Sequence, residues 1–349
     1  MSAGFRAVQW NRYKIGYDIV VVALVASYLS LFINAAPLLW PQDNPVNPQI
    51  QWMRALGSCA FLMLTAILCI GPLARLDTRF LPLLYNRRHL GVATAFVALA
   101  HAWSVLDWYH AHGKIDPLLS ILVSNSRYLS FQGFPFEALG LAALLLLVVM
   151  AAISHDFWLA FLTPPVWKTI HMLVYPAYGF LVMHVALGAM QGQAGLTLPL
   201  LLIFSFGAVT GLHLFAGWRE APADEGQDAR DGWLDVGRPE TISDGAACIV
   251  APRDGERIAV FRNGDRLSAL SNVCAHQNGP LGEGFVIDGC VTCPWHGFQY
   301  RLEDGCAPPP FTEKLNTFRL RLVRGIVQVD PNPLPPGTFV EPLNVGAAI

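Results

Sequence analysis

Cys274-Ala275-His276 and Cys293-Pro294-Trp295-His296 decide how the last third of this 349-residue chain is built. Two thiolates and two imidazoles, spaced C-x-H and C-x-x-H, suit a [2Fe–2S] cluster with two Cys on one iron and two His on the other. Sixteen residues separate His276 from Cys293, and Gly279-Pro280, Gly282, Gly284 and Gly289 are among them. Glycine lets a backbone approach a cluster closely and aim N–H groups at its sulfurs. Zinc also accepts two Cys and two His, but zinc ribbons use C-x-x-C knuckles rather than this mixed pair.

Around these motifs the chain reads as short alternating segments broken by Gly, Asp and Pro. Strands are expected at Ala247–Ala251, Ile258–Arg262, Leu267–Ser271, Cys290–Thr292, Phe298–Tyr300, Arg319–Val323 and Ile326–Val329. Asn263-Gly264-Asp265 is a hairpin signal. The pattern predicts a small all-β domain over 233–349, tail included. A polar stretch at 219–232, rich in Asp, Glu, Gly and Ala, reads as a flexible tether in front of it.

Upstream, the composition changes. The whole chain is 54% hydrophobic and 14% charged, against about 25% charged in soluble domains. Six apolar segments approach the length needed to cross about 30 Å of hydrocarbon: Ile15–Ala36, Trp52–Ile70, Leu90–Tyr109, Phe136–Ile153, Trp167–Met190 and Thr197–Trp218. The fold class expected is therefore multi-domain: an all-α six-helix transmembrane bundle over 1–218, then the small β domain. The first apolar run is long and has no small-residue cleavage site behind it, so a cleaved signal peptide is not expected.

With six spans, Arg6, Arg12, Lys14, Arg75, Arg79, Arg87, Arg88, Lys168 and Arg219 fall on one side, and Arg54, Lys114 and Arg127 on the other. That bias places both termini in the cytoplasm of a multi-pass inner-membrane protein, with membrane lipid as a partner. The loop after His110 faces outward, and its 117–129 part is suited to the interface. A net charge of −2 gives no sign of nucleic-acid binding. Seven Cys, clustered with His, fit a reducing compartment and a metal site better than a disulfide framework. Cys59 and Cys69 read as core residues, Cys290 and Cys306 as structural.

Ionisable residues at bilayer depth are functional by default. His101 sits mid-way along the third span and His184 well inside the fifth. His89 and His171 start the same two spans on the cytoplasmic side. Spacings of twelve and thirteen residues put the two His of each helix about 18–20 Å apart on similar faces. Side by side, the helices offer two candidate bis-imidazole haem sites, His101 with His184 and His89 with His171. Arg87 and Arg88 are candidates for haem propionates or lipid phosphate. His213 reads as a packing residue; His110, His112 and His155 read as solvated interfacial residues.

Arg87-Arg88-x-Leu90-Gly91, then Phe96 and His101, resembles the third helix of the ferric reductase-like transmembrane domain. Trp167-x-x-x-His171-x-x-x-Tyr175 and His184 resemble its fifth. Within that family the likeness is to the membrane haem subunit of bacterial periplasmic methionine sulfoxide reductase systems. The resemblance covers roughly 15–218 and implies b-type haem, one or two, held through His101, His171 and His184. His89 stands outside the positions it implies. The C-terminal domain resembles Rieske domains of the ferredoxin and oxygenase type, whose second motif is C-P-W-H-G. The extra Cys pair of the cytochrome bc type is replaced by Gly279 and Trp295. The Ser expected two positions after the second His is Phe298, which implies a low cluster potential.

No His follows His296, so a 2-His-1-carboxylate oxygenase iron has no ligands downstream. No G-x-G-x-x-G and no C-x-x-C-H occur, which argues against a built-in nucleotide domain and covalent haem. The expected role is an electron-transfer subunit rather than a complete enzyme. A cytoplasmic NAD(P)H-dependent reductase or ferredoxin would feed the cluster. The haem side would deliver to an outer acceptor such as a periplasmic redox enzyme. Two alternatives stay open: a quinol feeding haem and then the cluster, to supply a cytoplasmic oxygenase, and a haem-anchored redox sensor.

Overall fold

The computed structural model describes residues 12–39, 46–130, 133–154, 158, 161–162, 164–188, 196–224, 226–276, 278–294 and 297–346. They form two compact units that divide between Ala216 and Gly217.

The first unit is helical: α1 (Arg12–Asn34), α2 (Ala36–Leu39), α3 (Pro48–Leu76), α4 (Leu81–Val105), α5 (Pro117–Val123), α6 (Phe136–Ala152), α7 (Pro164–His171), α8 (Val174–Leu187) and α9 (Thr197–Asp224). Only helices satisfy their own backbone in hydrocarbon, so long apolar runs fold this way. Five stretches are long and apolar enough to cross a membrane: Lys14–Asn34, Pro48–Leu76, Asn86–His110, Val166–Leu187 and Thr197–Arg219. The sixth expected segment forms α6, whose 17 residues reach about 26 Å at 1.5 Å per residue. Its neighbours Pro135 and Ile153 cap it without side-chain help.

Local chemistry sets several ends. Asn47 accepts from the Gln49 N–H ahead of Pro48 and starts α3. Asp116 accepts from the Leu118 and Leu119 N–H groups and starts α5. Pro176 has no N–H for the Met172 carbonyl, and the chain breaks into α7 and α8 at Met172-Leu173. Phe61, Leu64 and Leu68 of α3 pack with Leu147 and Met150 of α6, Tyr178 of α8, and Leu202 and Val209 of α9. Ile19, Val22 and Leu24 of α1 stay exposed, as a lipid-facing helix requires.

The second unit is all β. Its strands are β1 (Leu234–Gly237), β2 (Ala247–Val250), β3 (Ile258–Asn263), β4 (Arg266–Ser271), β5 (Phe285–Ile287), β6 (Cys290–Thr292), β7 (Gln299–Arg301), β8 (Thr317–Phe318), β9 (Leu320–Val323), β10 (Ile326–Val329) and β11 (Leu343–Asn344). They make sheets β1-β10-β9, β11-β4-β3-β2 with β8 on β4, and β5-β6-β7. The predicted hairpin is β3–β4, with Asn263 opposite Arg266. Gly264, at φ +60°, takes the first turn position that a type II′ turn reserves for glycine. The first four residues of strand β3, Ile258 to Phe261, are all apolar because both faces are covered there. Ile258 and Val260 enter one core with Leu267 and Val327, while Ala259 and Phe261 enter the other with Cys274 and Cys293.

The expected tether over 219–232 is not free coil. α9 continues to Asp224. Gln227 then exchanges backbone hydrogen bonds with Ala251 and Arg253, and Arg230 with Trp233. Asp228 also pairs with Arg253. Composition alone reads as a linker, but these backbone groups find partners on the edge of the β unit.

Candidate functional site

Cys274 and Cys293 sit at matching points of two loops. Cys274 N–H donates to the Gly279 carbonyl, and its carbonyl accepts from Asn278 N–H, at 2.9 and 2.7 Å. Cys293 N–H donates to the Phe298 carbonyl, and its carbonyl accepts from Gly297 N–H, at 2.7 and 2.8 Å. The two loops close alike, although one reads C-x-H and the other C-x-x-H. Closure puts the fifth residue of each loop at positive φ, +58° at Asn278 and +67° at Gly297. Asn and Gly are the residues that adopt this conformation most readily.

Both cysteines are buried, each 1% exposed. The His276 ring is half-buried and stacks on Phe298 at 4.8 Å with 9° between planes. Three of the four expected cluster ligands are thus held around Phe298 and Tyr300. The fourth, His296, lies outside the described residues, as does Trp295.

Tyr300 was not singled out by the motifs, although β-strand alternation turns it inward with Phe298. Its hydroxyl accepts from His276 N–H at 3.2 Å and lies 3.4 Å from Cys274 Sγ. Against a thiolate, the hydroxyl must be the donor. Burial first, then the charges of Cys274 and Cys293, push this phenol above the ordinary tyrosine range. Its hydroxyl is thus placed to donate to the Cys274 sulfur. Cys290 is raised as well, by burial, which suits a structural thiol.

In the helical unit, His101 and His184 line one cavity of about 610 Å³. This lies within the range of roughly 300–1,000 Å³ for small-molecule sites. His101 Nδ1 donates to the Met53 carbonyl at 3.0 Å, and His184 Nδ1 to the Phe136 carbonyl at 2.8 Å. A carbonyl only accepts, so each neutral ring carries its lone pair on Nε2. That is the tautomer a metal ligand needs. The two rings are within electrostatic range of one another. Phe61, Leu144 and Leu147 line the apolar part of the cavity, while Arg54, His110, Ser120, Ser124 and Glu137 give it a polar part. An amphiphilic planar group carrying carboxylates, as haem b does, fits such a cavity.

His110, expected to be solvated, is 5% exposed and bonds Ser120 through Nδ1 at 2.8 Å. The difference arises because α4 continues through a π-helical turn at Leu106–His110 and α5 folds over it. Glu137 accepts from Asn125 at 2.5 Å, while its other oxygen is buried with no partner among the described residues.

His89 and His171 have different surroundings. His89 Nδ1 meets Asp18 of α1 at 2.9 Å. His171 bonds the Trp167 carbonyl at 3.0 Å and stacks on the Trp167 ring at 3.7 Å. Its Nε2 is buried without a hydrogen-bond partner among the described residues. Arg87 and Arg88 lie within electrostatic range of His171. His213 Nδ1 donates to the Val209 carbonyl at 2.8 Å, and its Nε2 accepts from the Tyr175 hydroxyl at 3.0 Å. His155 lies outside the described residues.

Residues 56–182 match the ferric reductase like transmembrane component, and residues 232–319 match the Rieske [2Fe-2S] domain. The chain is 43% identical over 76 residues to the anthranilate 1,2-dioxygenase ferredoxin subunit of Burkholderia cepacia, covering 21% of this chain and 68% of that one. It is 30% identical over 98 residues to ferredoxin CarAc of Metapseudomonas resinovorans, covering 28% and 92%. It is 34% identical over 94 residues to the chloroplastic chlorophyllide a oxygenase of Oryza sativa subsp. japonica, covering 25% of this chain but only 17% of that enzyme. The second unit carries a [2Fe–2S] cluster, and the first is a ferric reductase-like membrane component with five candidate spans. The chain therefore belongs to the Rieske [2Fe-2S] family, as an electron-transfer protein whose Rieske domain follows a ferric reductase-like transmembrane component.

Proposed function

We propose that this protein carries electrons from the cytoplasm outward across a bacterial inner membrane. A cytoplasmic NAD(P)H-dependent reductase or ferredoxin reduces the cluster held by Cys274, His276, Cys293 and His296. Electrons leave from the opposite side, near His101 and His184, to an outer-side acceptor such as a periplasmic redox enzyme. The domains are 1–218, a connection over 219–232, and 233–349, with both termini cytoplasmic. Six segments cross, α7 and α8 together making one of them, and α6 is the shortest.

The observation that carries this reading is the pair of Nδ1-anchored imidazoles, His101 and His184, on the wall of one cavity. They would hold a b-type haem, with Arg54 at the polar part of the cavity suited to a propionate. When bound, that group supplies a one-electron iron couple. The protein's own part is to fix both imidazole tautomers, exclude water with Phe61, Leu144 and Leu147, and offset carboxylate charge. His171, with its buried Nε2 beside Arg87 and Arg88, supports a second site on the cytoplasmic side, with His89 as its candidate partner. The Lys and Arg distribution supports the orientation.

The test is the optical spectrum of the purified chain. A b-type spectrum that disappears in His101→Ala and His184→Ala is expected. Its absence from the intact chain, or its survival in both variants, would refute the reading.

A second reading runs the other way, from a membrane quinol through the haem site to the cluster and a cytoplasmic oxygenase. The likeness to a dioxygenase ferredoxin subunit supports it. Stopped-flow mixing separates the two. Rapid reduction by an NAD(P)H-dependent ferredoxin reductase supports outward flow, and rapid reduction by a quinol supports the reverse.

A further inference from the structure

We infer that Gly57 and Gly140 are positioning residues, two copies of one socket that locks His101 and His184 into place. The inference rests on the haem reading above and extends it to residues that touch neither iron nor substrate.

The two histidines are held alike. Each reaches a backbone carbonyl 48 residues earlier in the chain. In each case a glycine stands four residues after that carbonyl, Gly57 after Met53 and Gly140 after Phe136. Every member of the second set follows its counterpart by 83 residues: Met53 and Phe136, Gly57 and Gly140, His101 and His184. The sequence around the glycines repeats with the same offset. Ala55-Leu56-Gly57, Ala60, Leu62 and Leu64 match Ala138-Leu139-Gly140, Ala143, Leu145 and Leu147. The α3–α4 pair is thus repeated as α6–α8, with the cavity lined by both copies.

The geometry explains the glycines. A carbonyl at position i of a helix points toward position i+4. A ring that donates to this carbonyl must lie across the place of the i+4 side chain. A Cβ on Gly57 would stand 2.9 Å from His101 Cε1 and 3.0 Å from Nδ1. One on Gly140 would stand 2.8 Å from both Cε1 and Nδ1 of His184. The imidazole is rigid and tied through Nδ1, so it cannot yield without giving up the bond that sets its tautomer. Among the described residues, Gly179 of α8 and Gly211 of α9 have nothing within 4 Å of such a Cβ. The copies diverge at the position one turn earlier, where Arg54 stands in one and Glu137 in the other. That divergence gives the cavity a cation on one wall and a carboxylate on the other.

The test compares Gly57→Ala, Gly140→Ala, Gly179→Ala and Gly211→Ala in the full-length protein. Haem per chain and the low-spin bis-imidazole signature in electron paramagnetic resonance are measured. Gly57→Ala and Gly140→Ala should each lose the low-spin signature or the haem, and Gly179→Ala and Gly211→Ala should keep both. Thermal unfolding keeps the inference testable where haem is lost. Overpacking should lower the melting temperature by roughly 5 °C in each socket variant. That drop should vanish for Gly57→Ala in a His101→Ala background, and for Gly140→Ala in a His184→Ala background, because the clashing ring is gone. Socket variants that keep wild-type spectra, or melting drops that simply add to those of the histidine variants, would overturn the inference. If the intact chain carried no b-type haem, the haem reading would fall, and the melting cycle alone would still decide the sockets.

Discussion

Tyr300→Phe removes one hydroxyl beside the cluster and leaves the ring that packs on Phe298. The lost contact is the O–H···S bond to Cys274 at 3.4 Å. Hydrogen bonds to charged groups contribute roughly 1.5–3 kcal/mol. Only the part that differs between oxidation states moves the potential. The added electron makes the sulfur a better acceptor, so the bond favours the reduced cluster. A preference of about 1 kcal/mol corresponds to about 40 mV for one electron, since 59 mV is about 1.4 kcal/mol. The potential of the variant should therefore fall by about 40 mV. A redox titration of the full-length protein, followed by electron paramagnetic resonance of the reduced cluster, reads this directly. The melting temperature of the same sample separates an electrostatic effect from collapse of the loop, because His276 N–H loses its acceptor too. Since burial and the neighbouring thiolates hold the phenol above the ordinary tyrosine range, the difference between wild type and variant should stay constant from pH 7 to about pH 10. An unchanged or raised potential in a well-folded variant would refute the reasoning.

Other outcomes follow from the same geometry. Gly297→Ala forces a Cβ into positive φ and should destabilise the β unit by roughly 1–2 kcal/mol, whereas Asn278→Gly should be nearly neutral; calorimetry of the two variants decides. Asp304 is opposed by burial, but hydrogen bonds from Arg301 and the Cys306 N–H hold its carboxyl below the usual range. Its folded value lies below its unfolded one, so its contribution is present at neutral pH and is lost as pH falls below about 4 and through the lower folded value. Denaturant unfolding of Asp304→Asn should accordingly show a flatter acid limb than wild type. His171→Ala should leave the proposed His101/His184 haem spectrum in place and remove only the second component proposed for the His89/His171 pair.

Several parts of this architecture were legible from residue order because they depend on local chemistry. The C-x-H and C-x-x-H motifs require no fold to be read, since ligand type and spacing already match two irons. Seven strand positions and the Gly264 hairpin follow from alternation and turn chemistry. The apolar runs announce spans through their length. The 219–232 stretch has a linker's composition, while its structure comes from helix to Asp224 and from the pairing of Gln227 with Ala251 and Arg253 and of Arg230 with Trp233. The burial of His110 by α5 is a property of chain reversal, invisible in a loop's polarity. The 83-residue repeat was present in the letters A-L-G-x-x-A-x-L-x-L, yet only the shared Nδ1 contacts give that match a meaning.

Residue order by itself determined that a cluster-binding β domain follows a membrane helical region, and which cysteines and histidines are chemically suited to metal. Tertiary structure alone decided which groups those side chains meet. It set Tyr300 against Cys274, Asp18 against His89, and His101 and His184 against carbonyls on α3 and α6. The reason is physical: ligand identity is carried by one residue's own atoms, whereas tautomer, potential and access depend on partners brought together from 48 or 71 residues away in the chain.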